Sequence, residues 1–428
     1  MSHVKPSLLR ILCTFARLRE ILFFSASLAI GIISFTKISA ENWDRFRGPN
    51  GAGQSDASGI PTEWKPENFL WKLPVTGIGH SSPVVWDNQL FITSAAPETG
   101  EQLLLAVDTH SGSILWERRF EAATYSLHGF NSYASSTPAL DARHVYFLWL
   151  ANGRIMLAAL THDGDEVWRR DIGVFEEQHG FGKSPVVVDD LVIVANDSEA
   201  DSEIVALDAL TGDVRWQIPR EPGTTAFATP CLFDPAASNK QLLALSTASG
   251  LAAIDVARGE IAWQGLKDDL PLRCISSPIV AGGLIVVSCG QGGNGKLLIA
   301  ARPGDSSRGP QEVYRLQQNI PNVPTPVVAD GLLFLWHDRG VVSCHDLATG
   351  RQHWRERVGG DFHSSPLRIG NRIFCASRGG EMIVLAADPV FQLLARNMLD
   401  EPCHATPAVA HGRLYVRTRS TLMCIGQP

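Results

Sequence analysis

The sequence predicts an all-β fold, an eight-bladed β-propeller with four-stranded antiparallel blades. One observation is a Ser-Pro or Thr-Pro pair that occurs eight times and opens a short apolar strand each time. A second is a turn of the form Ala-x-Asp-x-x-Thr-Gly-x-x-x-Trp that recurs along the chain. Self-similarity with a period of 40 to 55 residues and four short strands per period is the pattern of a propeller blade.

The Ser-Pro and Thr-Pro pairs mark the innermost strand of each blade. Proline cannot donate a hydrogen bond to a neighbouring strand, so it fits at the first residue of a strand or on a sheet edge. The residue before proline is held in an extended conformation, which also favours a strand. The eight pairs are Ser82-Pro83, Thr137-Pro138, Ser184-Pro185, Thr229-Pro230, Ser277-Pro278, Thr325-Pro326, Ser365-Pro366 and Thr406-Pro407.

The recurring turn predicts how neighbouring blades are joined. In its clearest copy, residues 204–216, a strand is followed by the turn from Asp208 to Gly212 and by a strand with Trp216. We expect each indole to stack between neighbouring sheets and to find an acceptor for its N–H group. Similar copies end at Trp116, Trp263 and Trp354, and a weaker copy ends at Trp168.

The strands at the two ends of the repeat region predict how the ring closes. The last repeat has three strands, whereas an additional strand, Phe69–Pro74, stands before the first repeat and carries Trp71. This strand is expected to complete the last blade, so that the ring has no free edge. The chain is therefore divided into residues 1–40, an irregular N-terminal arm of residues 41–68 and a propeller of residues 69–428.

The first 40 residues are typical of a secretory signal. Basic residues precede an apolar stretch at 21–36, and Ala40 is a small residue suited to cleavage. The apolar stretch is shorter than the roughly 20 residues that cross a bilayer, but an uncleaved signal anchor stays open as an alternative. We expect an exported protein of the periplasm or cell envelope, attached to a membrane only through such an anchor.

The charge of the chain argues against nucleic acid as a partner. The net charge is −7, and it falls to −11 without residues 1–40, which hold five basic residues and one acidic residue. An acidic body without runs of Lys or Arg lacks the basic stripe with which proteins bind phosphate backbones.

The repeats resemble the pyrroloquinoline-quinone-like propellers, a superfamily that holds quinoprotein alcohol dehydrogenases and BamB-type assembly factors. The turns that end in tryptophan are similar to the tryptophan-docking motif of that fold. Residues 43–53, WDRFRGPNGAG, are similar to the opening segment of secreted propellers from planctomycete-type bacteria. The resemblance covers the chain from Trp43 onward and implies the fold, whereas the function stays open because this fold hosts both enzymes and scaffolds.

The preferred hypothesis is an exported, monomeric, non-catalytic scaffold that binds an envelope protein or peptide, as the resemblance to BamB implies. A first alternative is a quinoprotein-type or metal-dependent oxidoreductase with its site at the pore mouth. The resemblance implies that such enzymes hold the quinone over calcium bound by Glu and Asn, beside a catalytic Asp and a vicinal disulfide. No such set aligns here and no cysteines are adjacent, so no cofactor is expected. A second alternative is carbohydrate or small-molecule binding in the channel.

Candidate site residues gather on one face of the predicted ring. Because strand direction alternates, the loops before the inner strands share a face with the hairpins that join second and third strands. His80, His363 and His404 lie in such loops of neighbouring repeats and are predicted to bind zinc or copper, with Cys403 as a possible further ligand. The alternative is that each histidine bonds to a loop carbonyl. Further binding candidates at the pore mouth are His179, Lys183, Arg273 and Asp361.

Two other features of this face carry expectations. The widest loop, residues 121–136 (EAATYSLHGFNSYASS), is expected to cover the pore or to contact a partner. Cys274 and Cys403 lie in loops and are predicted to be the exposed thiols among the seven cysteines that follow residue 40. Because seven is an odd number, at least one thiol stays free or pairs between molecules. Cysteines within repeats are predicted to be small buried residues: Cys289, Cys344, Cys375 and Cys424.

Overall fold

The structure is a computed structural model that describes residues 42–234 and 236–427, so the predicted signal of residues 1–40 lies outside the described part. The described chain folds into eight sheets, seven of four strands and one of five, and each sheet is a blade. The predicted eight-bladed all-β propeller is therefore confirmed. Within these described ranges, no helix is long and apolar enough to cross a membrane.

The elements are numbered in chain order. The N-terminal arm, described for residues 42–68, has two short 3-10 helices, Pro49–Gly51 and Pro66–Asn68, and the strand β1 (Gln54–Ser55). The strand β2 (Phe69–Pro74) follows the arm directly.

The first four blades each contain four consecutive strands. Blade 1 has β3 (Val84–Trp86), β4 (Gln89–Ala95), β5 (Gln102–Asp108) and β6 (Ile114–Phe120), and blade 2 has β7 (Ala139–Leu140), β8 (His144–Ala151), β9 (Arg154–Thr161) and β10 (Glu166–Val174). Blade 3 has β11 (Val186–Val188), β12 (Leu191–Asn196), β13 (Ser202–Asp208) and β14 (Val214–Arg220), and blade 4 has β15 (Cys231–Leu232), β16 (Gln241–Ser246), β17 (Gly250–Asp255) and β18 (Glu260–Gly265).

The last four blades follow the same plan. Blade 5 has β19 (Ile279–Ala281), β20 (Leu284–Gly290), β21 (Gly295–Arg302) and β22 (Gln311–Leu316), and blade 6 has β23 (Val327–Ala329), β24 (Leu332–Trp336), β25 (Val341–Asp346) and β26 (Gln352–Arg357). Blade 7 has β27 (Leu367–Ile369), β28 (Arg372–Ala376), β29 (Glu381–Ala386) and β30 (Leu393–Met398), and blade 8 has β31 (Ala408–Ala410), β32 (Arg413–Arg417) and β33 (Thr421–Ile425).

The strand before the first blade closes the ring. Strand β2 pairs antiparallel with β33 and places Trp71 opposite Cys424, so blade 8 gains its fourth strand from the N-terminal side of the propeller. The predicted closure is confirmed. The core lies between neighbouring blades, which is why second strands such as β12 are buried along their whole length and read as continuous apolar runs.

Tryptophan and glycine form the joint between neighbouring blades. The indole of Trp168 in blade 2 packs on the turn of blade 3 that contains Gly212. The contact is so close that a Cβ on Gly212 would lie 2.6 Å from the indole. The indole N–H of Trp168 also donates to the carbonyl of Ala209, at 3.1 Å. Trp71, Trp116 and Trp216 repeat this contact on Gly112, Gly164 and Gly259, and Tyr314 takes the same place on Gly350. The predicted stacking and its acceptor in the next blade are confirmed at these four tryptophans. The indole N–H of Trp263 instead donates to the side chain of Gln241 in its own blade, at 3.3 Å.

The hydroxyl groups of the Ser-Pro and Thr-Pro pairs form a ring of hydrogen bonds around the channel. The backbone N–H of Thr229, for example, donates to the hydroxyl of Ser277 in the next blade, at 3.0 Å. Five further bonds of this type join equivalent residues of successive blades at 2.9 to 3.0 Å. The hydroxyl is therefore as much a structural requirement as the proline, a role that the sequence reasoning did not assign.

The N-terminal arm fills the channel. Strand β1 adds to the inner edge of blade 7 and runs parallel to β27, while Trp43 bridges to Val85 of blade 1. The fully buried guanidinium of Arg47 donates to the carbonyls of Thr325, Pro326 and Pro366 at 2.8 to 3.1 Å. Asn50 also bonds to the backbone of Leu232 in blade 4. Because contacts of the arm reach blade 4 as well as blades 1, 6 and 7, the arm crosses the axis of the ring and blocks the channel.

Candidate functional site

A cavity of about 1400 Å³ opens on the face predicted to carry the site, here called the loop face. The Ser and Thr residues of all eight repeat pairs line it, together with Phe46 of the arm. The inner strand of each blade begins at the loop face and runs away from it. The arm bonds to residues further along these strands, such as Leu140 and Leu232, and therefore lies below the loop face. The arm therefore forms the floor, and the channel becomes a blind cavity.

A two-residue alternation decides which loop residues face the cavity. In an extended segment, successive side chains point to opposite sides. The residue two positions before each Ser or Thr therefore lines the cavity in every blade, and these residues are His80, Ser135, Gly182, Phe227, Ile275, Val323, His363 and His404. The residues one and three positions before it do not line the cavity, except Asn322, which does.

The structure brings six of the predicted residues to the cavity. His80, His179, Arg273, Asp361, His363 and His404 all line it. Lys183 lies one position before Ser184 and points away, and it is 4% exposed. Its ammonium donates to the carbonyls of Asp197 and Ala226 at 2.6 and 2.7 Å, and burial lowers its pKa to about 8. Lys183 therefore bonds inside the protein and does not line the cavity.

The predicted exposure of Cys274 and Cys403 is wrong. Both lie three positions before a Ser or Thr, and both are fully buried. The thiol of Cys403 donates to the carbonyl of Arg417 at 3.2 Å, and burial raises its pKa to about 12. All seven cysteines of the described chain are free and buried, so the four predicted to be buried in repeats are confirmed.

His80, His363 and His404, here called the histidine trio, meet through their rings. His80 and His404 are stacked with centroids 4.1 Å apart and planes 2° apart. His363 approaches His404 edge to face at 5.3 Å. Among residues 42–234 and 236–427, no three His, Cys, Asp or Glu side chains form a group that could hold a metal ion. The metal site at the trio stays a prediction, without support from this arrangement.

The histidine trio is neutral near pH 7. Burial, together with the neighbouring His404 and Arg417, lowers the pKa of His80 to about 2. Burial, with His404 and Arg378, lowers the pKa of His363 to about 3. The pKa of His404 falls to about 4 through burial and through two nearby guanidinium groups. The neutral rings can donate and accept hydrogen bonds, and the buried Nδ1 atom of His404 has no hydrogen-bond partner among the described residues.

A second polar cluster lies on the other side of the cavity. The carboxylate of Glu177, whose side chain is fully buried, accepts from Arg273 at 2.9 Å and contacts the ring of His179. Burial alone would raise the pKa of Glu177, but hydrogen bonds from His179 and Arg273 hold it at about 2. Arg273 is thereby neutralised and ties the loop before blade 3 to the loop before blade 5.

The bridging loop, residues 121–136, crosses the cavity as expected. Phe130 is 45% exposed, and its ring lies 5.4 Å from that of His363 in blade 7. The guanidinium of Arg378 stacks on the same ring at 3.7 Å, a cation–π contact. The loop therefore reaches from blade 1 over the opening to blade 7 and puts an exposed aromatic ring at the rim.

Sequence reasoning missed Arg378 and two equivalent arginines. Arg339, Arg378 and Arg419 occupy the hairpins between the second and third strands of blades 6, 7 and 8. The signal was present, because Asp-Arg-Gly, Ser-Arg-Gly and Thr-Arg-Ser stand at equivalent positions of three successive repeats. We call these three residues the arginine rim.

Eight blades, closed by a strand that precedes the first repeat and joined by tryptophan-on-glycine contacts, define a propeller of the PQQ-like class. The chain belongs to the family described as outer membrane protein assembly factor BamB, whose model matches residues 64–228, 151–308 and 315–389. The resemblance seen in the sequence is confirmed.

Known proteins similar to this chain agree with that assignment. The outer membrane protein assembly factor BamB of Yersinia pestis is 26% identical over 302 residues, 66% of this chain and 72% of the relative. BamB of Escherichia coli K12 is 26% identical over 303 residues, 67% of this chain and 72% of the relative.

Two solved structures share the fold. BamB from Moraxella catarrhalis has a TM-score of 0.59 at 15% identity, over 83% of this chain and 96% of that chain. A europium-containing methanol dehydrogenase has a TM-score of 0.67 at 13% identity, over 88% of this chain and 89% of that chain. The fold is thus shared with an assembly factor and with an enzyme, so only the site can favour one function.

Proposed function

We propose that this protein is an exported, non-catalytic scaffold that receives a segment of a protein or peptide partner in its blind cavity. The observation that carries the proposal is the cavity itself: closed below by the arm, open on the loop face, and bordered by the exposed ring of Phe130. Its volume of about 1400 Å³ exceeds the roughly 300–1,000 Å³ of typical small-molecule sites. That size favours a larger occupant.

The chemistry of the lining also favours a scaffold over a quinoprotein oxidoreductase. Calcium and related ions need several oxygen ligands that converge on one point. The described residues offer no group of three or more His, Cys, Asp or Glu side chains that could hold an ion, and all described cysteines are free, without the vicinal disulfide implied by the enzymes. The residues present therefore do not fit a quinone with its metal, and no step through these groups is derived.

Location and assembly state belong to the same proposal. Membership of the BamB family and the sequence of residues 1–40 support export to the periplasm or cell envelope. We expect the protein to act there as a monomer with an envelope protein as its partner.

Site-specific photo-crosslinking in the native envelope tests the proposal. A benzoylphenylalanine replaces Phe130 on the loop face in one variant and Leu210 in the other, which lies in a turn on the opposite face. The two side chains are equally exposed, at 45% each, so the comparison reports position alone. We expect one discrete adduct with an envelope protein from position 130 and none from position 210. Equal adducts from both positions, or none from position 130, would overturn the proposal.

A further inference from the structure

The guanidinium groups of the arginine rim have few polar partners among the described residues. The side chains of Arg339 and Arg419 are exposed, and within residues 42–234 and 236–427 they have no hydrogen-bond or ion-pair partner. Arg378 contacts the ring of Phe130, and its Nε atom is buried without an acceptor. Its nearest carboxylate oxygen, on Asp361, is 3.9 Å away. Three guanidinium groups therefore remain available to anionic groups.

The acidic residues of the same sector do not neutralise the rim. The carboxylate of Asp338 accepts from the backbone N–H groups of Asn322 and Val323, at 2.7 and 3.1 Å. Glu401 accepts from the backbone N–H of Ser420 at 3.1 Å and holds the blade 8 hairpin. These two carboxylates are thus bonded to their own loops. Asp361 is a third, and its side chain is 60% exposed to solvent. Asp400 and Glu381 pair with Lys72 and Arg396 instead of the rim.

Two buried cations place further positive charge next to the cavity. Arg417 is fully buried at the joint of blades 8 and 1, where it donates to the hydroxyls of Ser81 and Ser94 at 2.7 and 3.3 Å. Arg47 in the cavity floor bonds only to carbonyl oxygens among the described residues. The lowered pKa of His80 includes repulsion by Arg417, so this charge acts on the cavity lining.

We propose that the segment received by the cavity is an acidic peptide, whose carboxylates bind the arginine rim while its apolar side chains contact Phe130. This inference rests on the proposed function and names the chemistry of its partner. The guanidinium groups are spread over three successive blades, so they match charges spaced along a chain better than one compact anion. Guanidinium groups are also the donors best suited to carboxylates.

Fluorescence anisotropy with defined peptides tests the inference on residues 41–428. The probe is a fluorescein-labelled octapeptide of alternating glutamate and leucine, and its isosteric control alternates glutamine and leucine. We expect the acidic probe to bind at least about tenfold more tightly than the control, and its affinity to fall with added salt, because the charges are solvent-exposed. Equal binding of the two peptides would overturn the inference.

Two matched variants locate the site. The triple variant Arg339→Gln, Arg378→Gln, Arg419→Gln should weaken binding of the acidic probe about tenfold or more. The control Arg143→Gln, Arg258→Gln, Arg351→Gln removes the same charge from exposed turns of the opposite face and should leave binding unchanged. If both triple variants weaken it equally, the inference fails. Because Arg378 contacts Phe130, the pair Arg339→Gln, Arg419→Gln alone gives a second measure and should weaken binding in the same direction.

The experiment separates this inference from the proposed function. An adduct at position 130 whose crosslinked segment carries no acidic residues would overturn the inference and leave the scaffold in place. Trigalacturonate, offered as a competitor, represents anionic glycans. If it binds to the arginine rim more tightly than the acidic peptide, a glycan replaces the peptide as the ligand and the inference is overturned.

Discussion

Replacing His404 by asparagine should make the fold less sensitive to acid. Burial and two nearby guanidinium groups hold the pKa of His404 at about 4, whereas a histidine in an unfolded chain has a pKa of about 6.5. As the pH falls below 6.5, the unfolded chain binds a proton that the folded protein excludes. The free energy of unfolding therefore decreases with decreasing pH until about pH 4, where the folded ring also becomes protonated.

The size of the effect follows from the gap between the two pKa values. About 1.4 kcal/mol corresponds to each pH unit, so a drop from pH 6.5 to 5 costs roughly 2 kcal/mol before screening. His404 lines an open cavity, and solvent there reduces the cost, which leaves about 1–2 kcal/mol. His80 and His363, whose pKa values of about 2 and 3 lie lower still, add costs of the same sign.

Urea unfolding at about pH 7 and about pH 5 measures this linkage. The wild type should lose about 1–2 kcal/mol more than His404→Asn between the two pH values. Taking the difference within each variant cancels any direct effect of the substitution on packing. His110→Asn is the control, because His110 lies exposed in a turn of the opposite face, and it should behave as the wild type. If wild type and His404→Asn lose the same free energy, His404 does not contribute to the acid sensitivity of the fold.

The remaining predictions concern the blade joint, the ring closure and the metal site. Gly212→Ala should destabilise by about 1–3 kcal/mol more than Gly331→Ala in urea unfolding: both glycines have positive φ, but only Gly212 has an indole within 4 Å, that of Trp168. If both variants lose the same free energy of unfolding, backbone strain alone explains the cost and the indole contact adds nothing. Trp71→Ala should cost about 3–5 kcal/mol and speed proteolysis of the N-terminal strand, whereas unchanged stability would mean that closure needs only the backbone. Elemental analysis of residues 41–428 should find no stoichiometric zinc or copper; a metal lost on changing the histidine trio to alanine would establish the metal site.

Much of the fold was predictable because its markers answer local requirements. A proline suits only certain strand positions, and a glycine such as Gly212, with φ of +71° beneath an indole, tolerates no side chain. Such requirements select the same residue types at equivalent positions of successive repeats. Counting them was enough to predict eight blades and the closing strand that carries Trp71.

The candidate site was predictable only in part. The alternation of strand direction placed His80, His363 and His404 on one face, and the structure brings them into ring contact. The sequence did not show which of these loop side chains point into the cavity. In an extended segment, adjacent side chains point to opposite sides, so a difference of one residue places a side chain in the cavity or in the interior. Cys403 and His404 are adjacent in sequence, yet the first is buried and the second lines the cavity.

The sequence by itself determined the class of fold, the number of blades, the closure of the ring and the face that carries the site. Each depends on local backbone rules that repeat along the chain. Only the tertiary structure decided that the cavity is blind and that Phe130 and Arg378 meet at its rim. Arg47 meets carbonyls of blades 6 and 7, and Phe130 of the bridging loop meets Arg378 of blade 7. These contacts join residues 248 to 319 positions apart, and they exist only once the ring has closed.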